Sequence, residues 1–333
     1  MITDTTKESP MPTTPEYYSG VVGIGSKRTL PFFGYGNRNK SGSSEQDTLE
    51  ANWVFVRNYS AQSVLIVSLD TLFSSRDLEC RIKGHFYTAG FPSLHLFVVA
   101  SHTHFAPSLD PTKPKLGVAD DVYINDVAER ICHGILKAMN AENSQSPLEW
   151  NFFSGTNRGA IYRRNKRIVL SYKKHRPFVS SSMQMAPNFS VEIDHELRIW
   201  VASDKAKNPL FAVTTWPCHA TSRREDDVVS ADFVHAVRYE IRKTSGFDLP
   251  VVFFPGASGD IRPNFSKLSV GTRLFYPYPF QKSFNRPSEE MVEEFDRSLR
   301  ETVAFCLSEQ KQSLSFTHTA AQQVDVPLSE FMH

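Results

Sequence analysis

Residues 94–107 read LHLFVVASHTHFAP, an apolar run followed at once by two histidines. The run 94–100 has the length and composition of a buried β-strand. Because side chains alternate along a strand, His102 and His104 at the strand end are expected to point to the same side. Loops that leave buried strands are where α/β folds place their sites. Taken alone, the pair fits a metal site or two histidines with structural hydrogen bonds.

Two further predicted strands end in comparable loops. His219 follows the apolar run 210–215, and a glycine-rich turn containing Asp260 follows the run 251–254. Each loop alone is a weak signal, since a single histidine after a strand is more often structural. The joint pattern predicts one metal-centred site that contains His102, His104 and His219. Neutral imidazoles suit Zn²⁺, and a catalytic zinc keeps one coordination position open.

Outward from these loops, the chain alternates strand and helix patterns. Helices are predicted at 76–89, 121–139, 232–244 and 288–310, with further strands at 51–56, 63–69, 148–153, 197–202 and 321–326. Asp232 is expected to cap the third helix. No internal repeat is apparent in the sequence. The pattern predicts an α/β, mixed-sheet, sandwich-like single domain over residues 17–333, after a disordered tail at 1–16.

The composition narrows the classes of partner. The 333 residues carry 37 basic and 36 acidic side chains, which argues against nucleic acid and favours a small molecule. No apolar run approaches the roughly 20 residues of a membrane span, and the polar N-terminus resembles no secretory signal. The cytoplasm is therefore the expected location. Cys80, Cys132, Cys218 and Cys306 are scattered, so buried free thiols are expected rather than a disulfide framework.

The order of short motifs resembles the N-terminal catalytic domain of the neutral/alkaline (non-lysosomal) ceramidase family. In chain order the pieces are Gly23-Ile24-Gly25, Gly34-Tyr35-Gly36, Ser68-Leu69-Asp70, Ser101-His102-Thr103-His104, Asn157-Arg158-Gly159, His219-Ala220-Thr221, Ser230-Ala231-Asp232 and Gly259-Asp260-Ile261-Arg262-Pro263-Asn264. They lie within residues 21–264, about three quarters of the chain. The pieces around His102 and Asp260 are the specific ones.

This resemblance implies an amide hydrolase with one zinc ion per chain, in which metal-activated water attacks an N-acyl carbonyl. It assigns His102 and His219 as zinc ligands. His104 becomes a neighbouring proton-transfer residue that can also complete the ligand set. Arg158 is expected to stabilise developing negative charge together with Tyr162.

The resemblance also implies supporting roles for acidic and pocket residues. Asp260 and Asp232 are expected to orient the ligand histidines, and Asp232 is a further ligand candidate. Substrate contacts are expected from Tyr35, Arg262 and Asn264. Two of these assignments have plain structural alternatives, a helix cap for Asp232 and a surface ion pair for Arg158. Asp70, in the Ser68-Leu69-Asp70 piece, has the plain alternative of a turn residue.

Two departures from the family pattern affect these expectations. Arg262 stands where the family has a serine near the scissile amide, and a long cation there suits an acidic or carbohydrate-like substrate. The family's remaining zinc ligands, a glutamate and a tyrosine, have no match, so the resemblance is incomplete at the C-terminal end. Two histidines leave a zinc ion under-coordinated. His104, an aspartate or a second chain would then complete the site.

Three functions remain open at this point. The first is a zinc-dependent hydrolase that cleaves an N-acyl amide in a ceramide-like lipid, an N-acyl amine or an N-acyl sugar. The second is a catalytically impaired relative that acts as a binding or assembly module. The third is a metal-dependent esterase or phosphoesterase, because histidine and aspartate groups serve those reactions too.

Overall fold

Two β-sheets and the helices on them form the framework of the protein. The computed structural model describes residues 15–32, 34, 42, 44–57, 63–141, 149–173, 176–268, 282–309 and 312–314. Its strands are β1 (Glu16–Gly23), β2 (Ser44–Glu45), β3 (Glu50–Arg57), β4 (Ser63–Leu69), β5 (Leu94–Ala100), β6 (Glu149–Thr156), β7 (Ala160–Lys173), β8 (Arg176–Asn188), β9 (Glu196–Ser203), β10 (Pro209–Thr215), β11 (Val228–Val229), β12 (Val251–Phe254), β13 (Ile261–Pro263), β14 (Ser266–Leu268), β15 (Lys282–Phe284) and β16 (Gln312–Leu314). Its helices are α1 (Arg76–Thr88), α2 (Asp121–Asn140), α3 (Phe233–Ser245) and α4 (Glu289–Ser308).

The two main sheets have related orders. The first runs β1-β3-β4-β5 and the second β12-β10-β9-β6-β16. The first sheet has two antiparallel pairings and one parallel pairing, β4 with β5. The second has three antiparallel pairings and one parallel pairing, β10 with β12. A helix, α1 or α3, joins the two parallel strands, and a second helix, α2 or α4, packs beside it. The protein therefore contains the same strand–strand–strand–helix–strand–helix unit twice.

Alternate side chains of each strand face different layers. On β3, Trp53 and Phe55 pack with α1 and α2, whereas Val54 faces the second sheet. On β12, Phe253 packs under α3 and α4, whereas Val252 faces the first sheet. Because a strand exposes alternate residues to opposite faces, four layers result, with the helices outside and the sheets inside. The predicted α/β, mixed-sheet, sandwich-like fold is confirmed.

The predicted helices agree with the structure to within about two residues, because their apolar period and capping residues are local signals. Ser75, Asp120 and Ser288 cap α1, α2 and α4 by accepting hydrogen bonds from backbone N–H groups, and Asp232 caps α3 as expected. Within the described residues, no helix is long and apolar enough to cross a membrane.

Several expectations need correction or lie outside the described residues. The long hairpin of β7 and β8 was not predicted, since polar runs such as 163–167 (RRNKR) and 180–182 (SSS) interrupt its apolar residues and leave no regular apolar alternation. All four cysteines are free, but Cys80 is exposed rather than buried, because it lies on the solvent side of α1. Strand β1 begins at Glu16, next to the predicted end of the tail at residue 16, and the extent of the tail stays a prediction. Three expectations concern residues outside the described ranges: the strand at 321–326, the substrate contact of Tyr35, and residues 1–14 of the tail.

Candidate metal centre

Three imidazole rings meet where strands of the two sheets end. His102 and His104 follow β5, and His219 follows β10. The centroid of the His102 ring lies 4.6 Å from that of His219 and 5.3 Å from that of His104. One ring nitrogen from each residue can be chosen so that all three lie within 4.8 Å of one another. The predicted grouping of the three histidines is therefore confirmed, and this group can hold a metal ion.

The backbone turns sharply at His102. Strand β5 ends at Ala100, and His102 has a φ of 64°, in the left-handed region that non-glycine residues rarely adopt. Backbone hydrogen bonds from His102 N–H to Thr71 O (3.0 Å) and from His104 N–H to Ala220 O (3.2 Å) hold this turn. Alternation of side chains along the strand predicts that the rings of His102 and His104 point to the same side. They converge instead because the chain turns after the strand.

Backbone carbonyl groups orient two of the rings. Nδ1 of His102 lies 2.9 Å from Leu72 O, and Nδ1 of His219 lies 2.6 Å from Ser258 O. A carbonyl oxygen only accepts hydrogen bonds, so each Nδ1 carries the proton and each Nε2 keeps its lone pair. Metal-binding histidines are commonly held in this way, with the far nitrogen directed at the ion.

The surroundings of His102 and His219 keep these two rings neutral. Burial, and after it the positive charge of Arg163, lower the pKa of His219 to about 4. Burial likewise lowers the pKa of His102 below its usual value. Neutral imidazole is the form that binds a metal, because a protonated ring has no free lone pair.

The loop that carries His104 is fixed from both sides. The hydroxyl of Thr103 donates a hydrogen bond to Ser230 O at 2.7 Å, across the boundary between the two repeated units. On the other side Gly34 lies so close that a Cβ atom there would stand 2.7 Å from Nδ1 of His104. The φ of Gly34 is 109°, which also favours glycine. Gly34 thus lies directly against the ring of His104.

Asp232 is a helix cap in the structure and is not placed as a metal ligand. Its two carboxylate oxygens accept hydrogen bonds from Ser222 N–H (2.7 Å), the Ser222 hydroxyl (2.7 Å) and Phe233 N–H (2.8 Å). It is fully buried. Carbonyl oxygens, rather than Asp232, occupy the orienting positions at Nδ1 of the two histidines. The helix-cap alternative is the one that the structure shows.

Asp70 and Asp260 also form ion pairs away from the imidazole nitrogens. Asp70 is buried and accepts a hydrogen bond from Arg238, which makes it more than the turn residue considered from sequence. Asp260 accepts a hydrogen bond from Nε of Arg164 at 2.8 Å and lies 3.7 Å from Nε of Arg163. The expectation that Asp260 orients a ligand histidine is therefore corrected, because its carboxylate faces arginines of β7.

Arg158 and Tyr162, the two residues predicted to stabilise negative charge, lie just before β7 and on it. Arg158 is exposed in the loop between β6 and β7, next to the buried Asn157. Tyr162 is half-buried on β7 and pairs with Ile261, whose carbonyl accepts a hydrogen bond from His219 N–H. Their roles toward a substrate stay predictions.

Two residues of the predicted substrate pocket are described. The guanidinium of Arg262 lies 4.5 Å from the ring centroid of Phe284, and its Nη1 is 3.6 Å from the sulfur of Met185. Asn264 donates its backbone N–H to Gly159 O and accepts a hydrogen bond from the Ser266 hydroxyl.

The carbonyl groups of Leu72 and Ser258, which orient two of the histidines, were not predicted from the sequence. Every residue type carries the same backbone carbonyl group, so the sequence contains no signal for them.

The fold and the site together define an α/β mixed-sheet sandwich with a histidine group at its strand ends that can hold a metal ion. Among solved structures, the protein is similar to a neutral ceramidase from Pseudomonas aeruginosa, with a TM-score of 0.63 and 15% sequence identity over 88% of this chain. A ceramidase complexed with C2 gives a TM-score of 0.63 at 14% identity.

These similarities show a shared fold. The chain spans 44% and 43% of the lengths of the two ceramidase chains. No protein-family model and no curated protein matches the sequence. The resemblance to ceramidases seen in the short motifs is thus supported at the level of the fold.

Proposed function

We propose that the protein is a zinc-dependent hydrolase that cleaves an N-acyl amide. The observation that carries this proposal is the group of His102, His104 and His219, whose nitrogens lie within 4.8 Å of one another on a ceramidase-like fold. Catalytic zinc sites usually have three protein ligands and one open position. His104 supplies the third ligand, so neither Asp232 nor a second chain is required.

Zinc fits the donors that the chain offers. All three donors are imidazoles, which suit zinc better than the oxygen-binding ions calcium and magnesium. His102 and His219 are fixed by carbonyl groups, so little side-chain freedom is lost when an ion binds. A bound zinc ion supplies a Lewis acid that activates water and polarises a carbonyl group. These features support one zinc ion per chain.

The residues around the centre have separate tasks in the proposed reaction. The lowered pKa values of His102 and His219 keep both rings neutral and ready to bind at neutral pH. To Tyr162, half-buried beside β13, we assign a hydrogen bond to an oxygen that gains negative charge. Arg158 provides a positive charge in the neighbouring loop. Both of these roles come from the ceramidase resemblance and are proposed here.

The metal is tested by elemental analysis of the purified protein. We expect about one zinc per chain, and we expect the double substitution His102→Ala/His219→Ala to abolish zinc binding because two ligands are lost. His133→Ala is the matched control, since this exposed histidine lies on α2. A folded wild-type protein that binds no zinc would contradict the proposal.

The reaction is tested with a panel of synthetic substrates that share one acyl chain. An N-acyl amine, a matched ester and a phosphate ester distinguish amidase, esterase and phosphoesterase activity by the product released. We expect fatty acid to be released from the N-acyl amine, and Tyr162→Phe to lower kcat more than KM if its hydroxyl acts in the transition state. Zinc-loaded protein that hydrolyses only the phosphate ester would contradict the assignment as an amidase.

A further inference from the structure

Two consecutive arginines of β7 turn toward the same carboxylate. Neighbouring residues of a regular strand point to opposite faces, but the pairing of β7 with β8 shifts register between Tyr162 and Arg164. Such irregularities re-aim side chains and are common beside active sites. Here the Nε atoms of Arg163 and Arg164 lie 3.7 and 2.8 Å from one oxygen of Asp260.

The charges of this cluster do not balance. Among the residues that the structure describes, one carboxylate, that of Asp260, lies within 4.0 Å of the guanidinium groups of Arg163 and Arg164. Two positive charges therefore share one negative charge. Arg164 takes the close contact, whereas Nε of Arg163 is buried and makes no hydrogen bond to a described residue. The nearby charges of Arg164 and Arg262 help to lower the pKa of Arg163, after burial as the largest cause.

Arg163 is attached to the same turn as one of the candidate metal ligands. Its Nη2 donates a hydrogen bond to Gly259 O at 2.7 Å, and its backbone N–H donates to Asp260 O at 2.8 Å. The preceding carbonyl, that of Ser258, holds Nδ1 of His219. A group bound by Arg163 would therefore lie next to the histidine group, within reach of one small substrate.

We propose that Arg163 is an anion receptor beside the metal centre and that the substrate is an N-acyl amine with a negatively charged group near its amide. A planar guanidinium with a buried, unsatisfied Nε–H is suited to a carboxylate or a phosphate group. Arg262, on the adjacent β13, adds positive charge to the same region. This inference rests on the proposed amide hydrolase for the reaction, but the binding of the anion is independent of turnover.

The test compares three ligands with the same acyl chain by titration calorimetry on the 333-residue protein. N-octanoylglycine carries a carboxylate, N-octanoylphosphoethanolamine a phosphate, and N-octanoylethanolamine no charge. We expect at least one anionic ligand to bind about tenfold or more tightly than the neutral one, as a charge-assisted hydrogen bond provides. The tighter of the two anions identifies the chemical group. Titrations of EDTA-treated and zinc-supplemented protein separate the arginine from the metal.

Variants assign the preference to Arg163. Arg163→Met should abolish it and Arg163→Lys should keep part of it, because the charge remains while the planar fork is lost. Arg57→Met is the matched control, since Arg57 is a partly exposed strand arginine that pairs with Glu16. Circular dichroism checks that each variant folds.

Several results would overturn the inference. Equal binding of the three ligands, or no binding of any of them, would do so. A preference for the anionic ligands that remains in Arg163→Met, or that appears in zinc-supplemented protein but not in EDTA-treated protein, would do so as well. Hydrolysis of charged and neutral amides at equal rates would overturn it while leaving the amidase intact. An anion preference in binding without hydrolysis of any amide would support the receptor and count against the proposed reaction.

Discussion

At the scale of single residues, backbone strain lies beside the histidine group. His102 has a φ of 64° and Asp232 a φ of 62°, and both occupy conformations that glycine normally takes. Such conformations cost roughly 1–3 kcal/mol each and persist where surrounding contacts hold them. At His102 the strained turn brings Nδ1 to Leu72 O. At Asp232 it leaves both carboxylate oxygens on the cap of α3 and on Ser222.

Gly34 gives a prediction at this scale. In Gly34→Ala the new methyl group would stand 2.7 Å from Nδ1 of His104 and 3.2 Å from Cδ2 of Leu72, at a φ of 109°. We expect a loss of roughly 1–3 kcal/mol in the free energy of unfolding. We also expect weaker zinc binding, because the ring of His104 must move. Urea unfolding and zinc titration measure the two effects.

The matched control is Gly84→Ala, inside α1. No atom lies within 4 Å of a Cβ built at Gly84, and alanine is preferred in a helix by about 0.5–1 kcal/mol. This variant should therefore be slightly more stable than the wild type and should bind zinc equally well. Unchanged stability and zinc affinity in Gly34→Ala would show that residue 34 does not press on the ring of His104.

At the scale of elements, a buried ion-pair network joins the start of β3 and the end of β4 to α3. Glu50 accepts two hydrogen bonds from Arg242, each 2.8 Å long, while Asp70 accepts one from Arg238 and another from Glu50 N–H. These contacts connect the first repeated unit to the helix of the second. Such a pair is strongly destabilising to break, because the remaining partner is left buried and uncompensated.

This network predicts a pH dependence of stability. Burial alone would raise the pKa of Glu50, but the hydrogen bonds from Arg242 and the charge of Arg238 lower it to about 2. The folded-state pKa is thus below the unfolded one, near 4.5. The stabilisation is complete above pH 4.5 and is lost as the pH falls toward 2, because the unfolded state then binds the proton first.

The measurement compares wild type with Glu50→Gln by urea unfolding at several pH values. At pH 7 we expect the variant to be less stable by about 3 kcal/mol, and the gap to narrow as the pH falls below about 4.5. Glu294→Gln, at an exposed position in the middle of α4, should stay within about 0.5 kcal/mol of wild type. A gap that is the same at every pH would rule out Glu50 as the titrating group.

At the scale of the whole molecule, the two repeated units face each other and both contribute to the site. The first unit supplies His102 and His104 from the end of β5, and the second supplies His219 from the end of β10. The loops after β4 and β12 supply the orienting carbonyl groups of Leu72 and Ser258. Two pairs of parallel strands, one from each sheet, therefore end at one place, as is common for sites in α/β folds.

The contact between the two sheets gives a prediction at this scale. Strand β12 is at the edge of its sheet, and the Ser68 hydroxyl of β4 both donates to Phe253 O (2.9 Å) and accepts from Phe253 N–H (3.2 Å). Ser68→Ala removes this partner from two buried backbone groups, so we expect a loss of about 1–3 kcal/mol. Urea unfolding measures it.

Ser308→Ala is the control for that substitution. The Ser308 hydroxyl makes an exposed hydrogen bond to Phe305 O at the end of α4, so its removal should change stability by less than about 0.5 kcal/mol. If Ser68→Ala were equally harmless, the hydroxyl would not be the link between the sheets.

The sequence by itself indicated the helices, most of the framework strands and the three histidines of the candidate metal centre. Helix periods, capping residues and apolar strands are local signals, and the short motifs placed His102, His104 and His219 in one site. The hairpin of β7 and β8 was not predicted, because polar runs interrupt its apolar residues and remove the alternation that indicates a strand. The repetition of the strand and helix unit was not predicted either, because the order and pairing of strands can repeat without any repeat in the amino-acid sequence.

The tertiary structure alone decided which groups surround the histidines. Carbonyl groups of Leu72 and Ser258 orient the rings, while Asp232 and Asp260 turn to a helix cap and to arginines. Residue types reveal which groups can ionise or bind, but hydrogen-bond partners far apart in the chain depend on how the sheets and loops pack. Arg163 is the clearest case, because only the irregular pairing of β7 turns it toward the site.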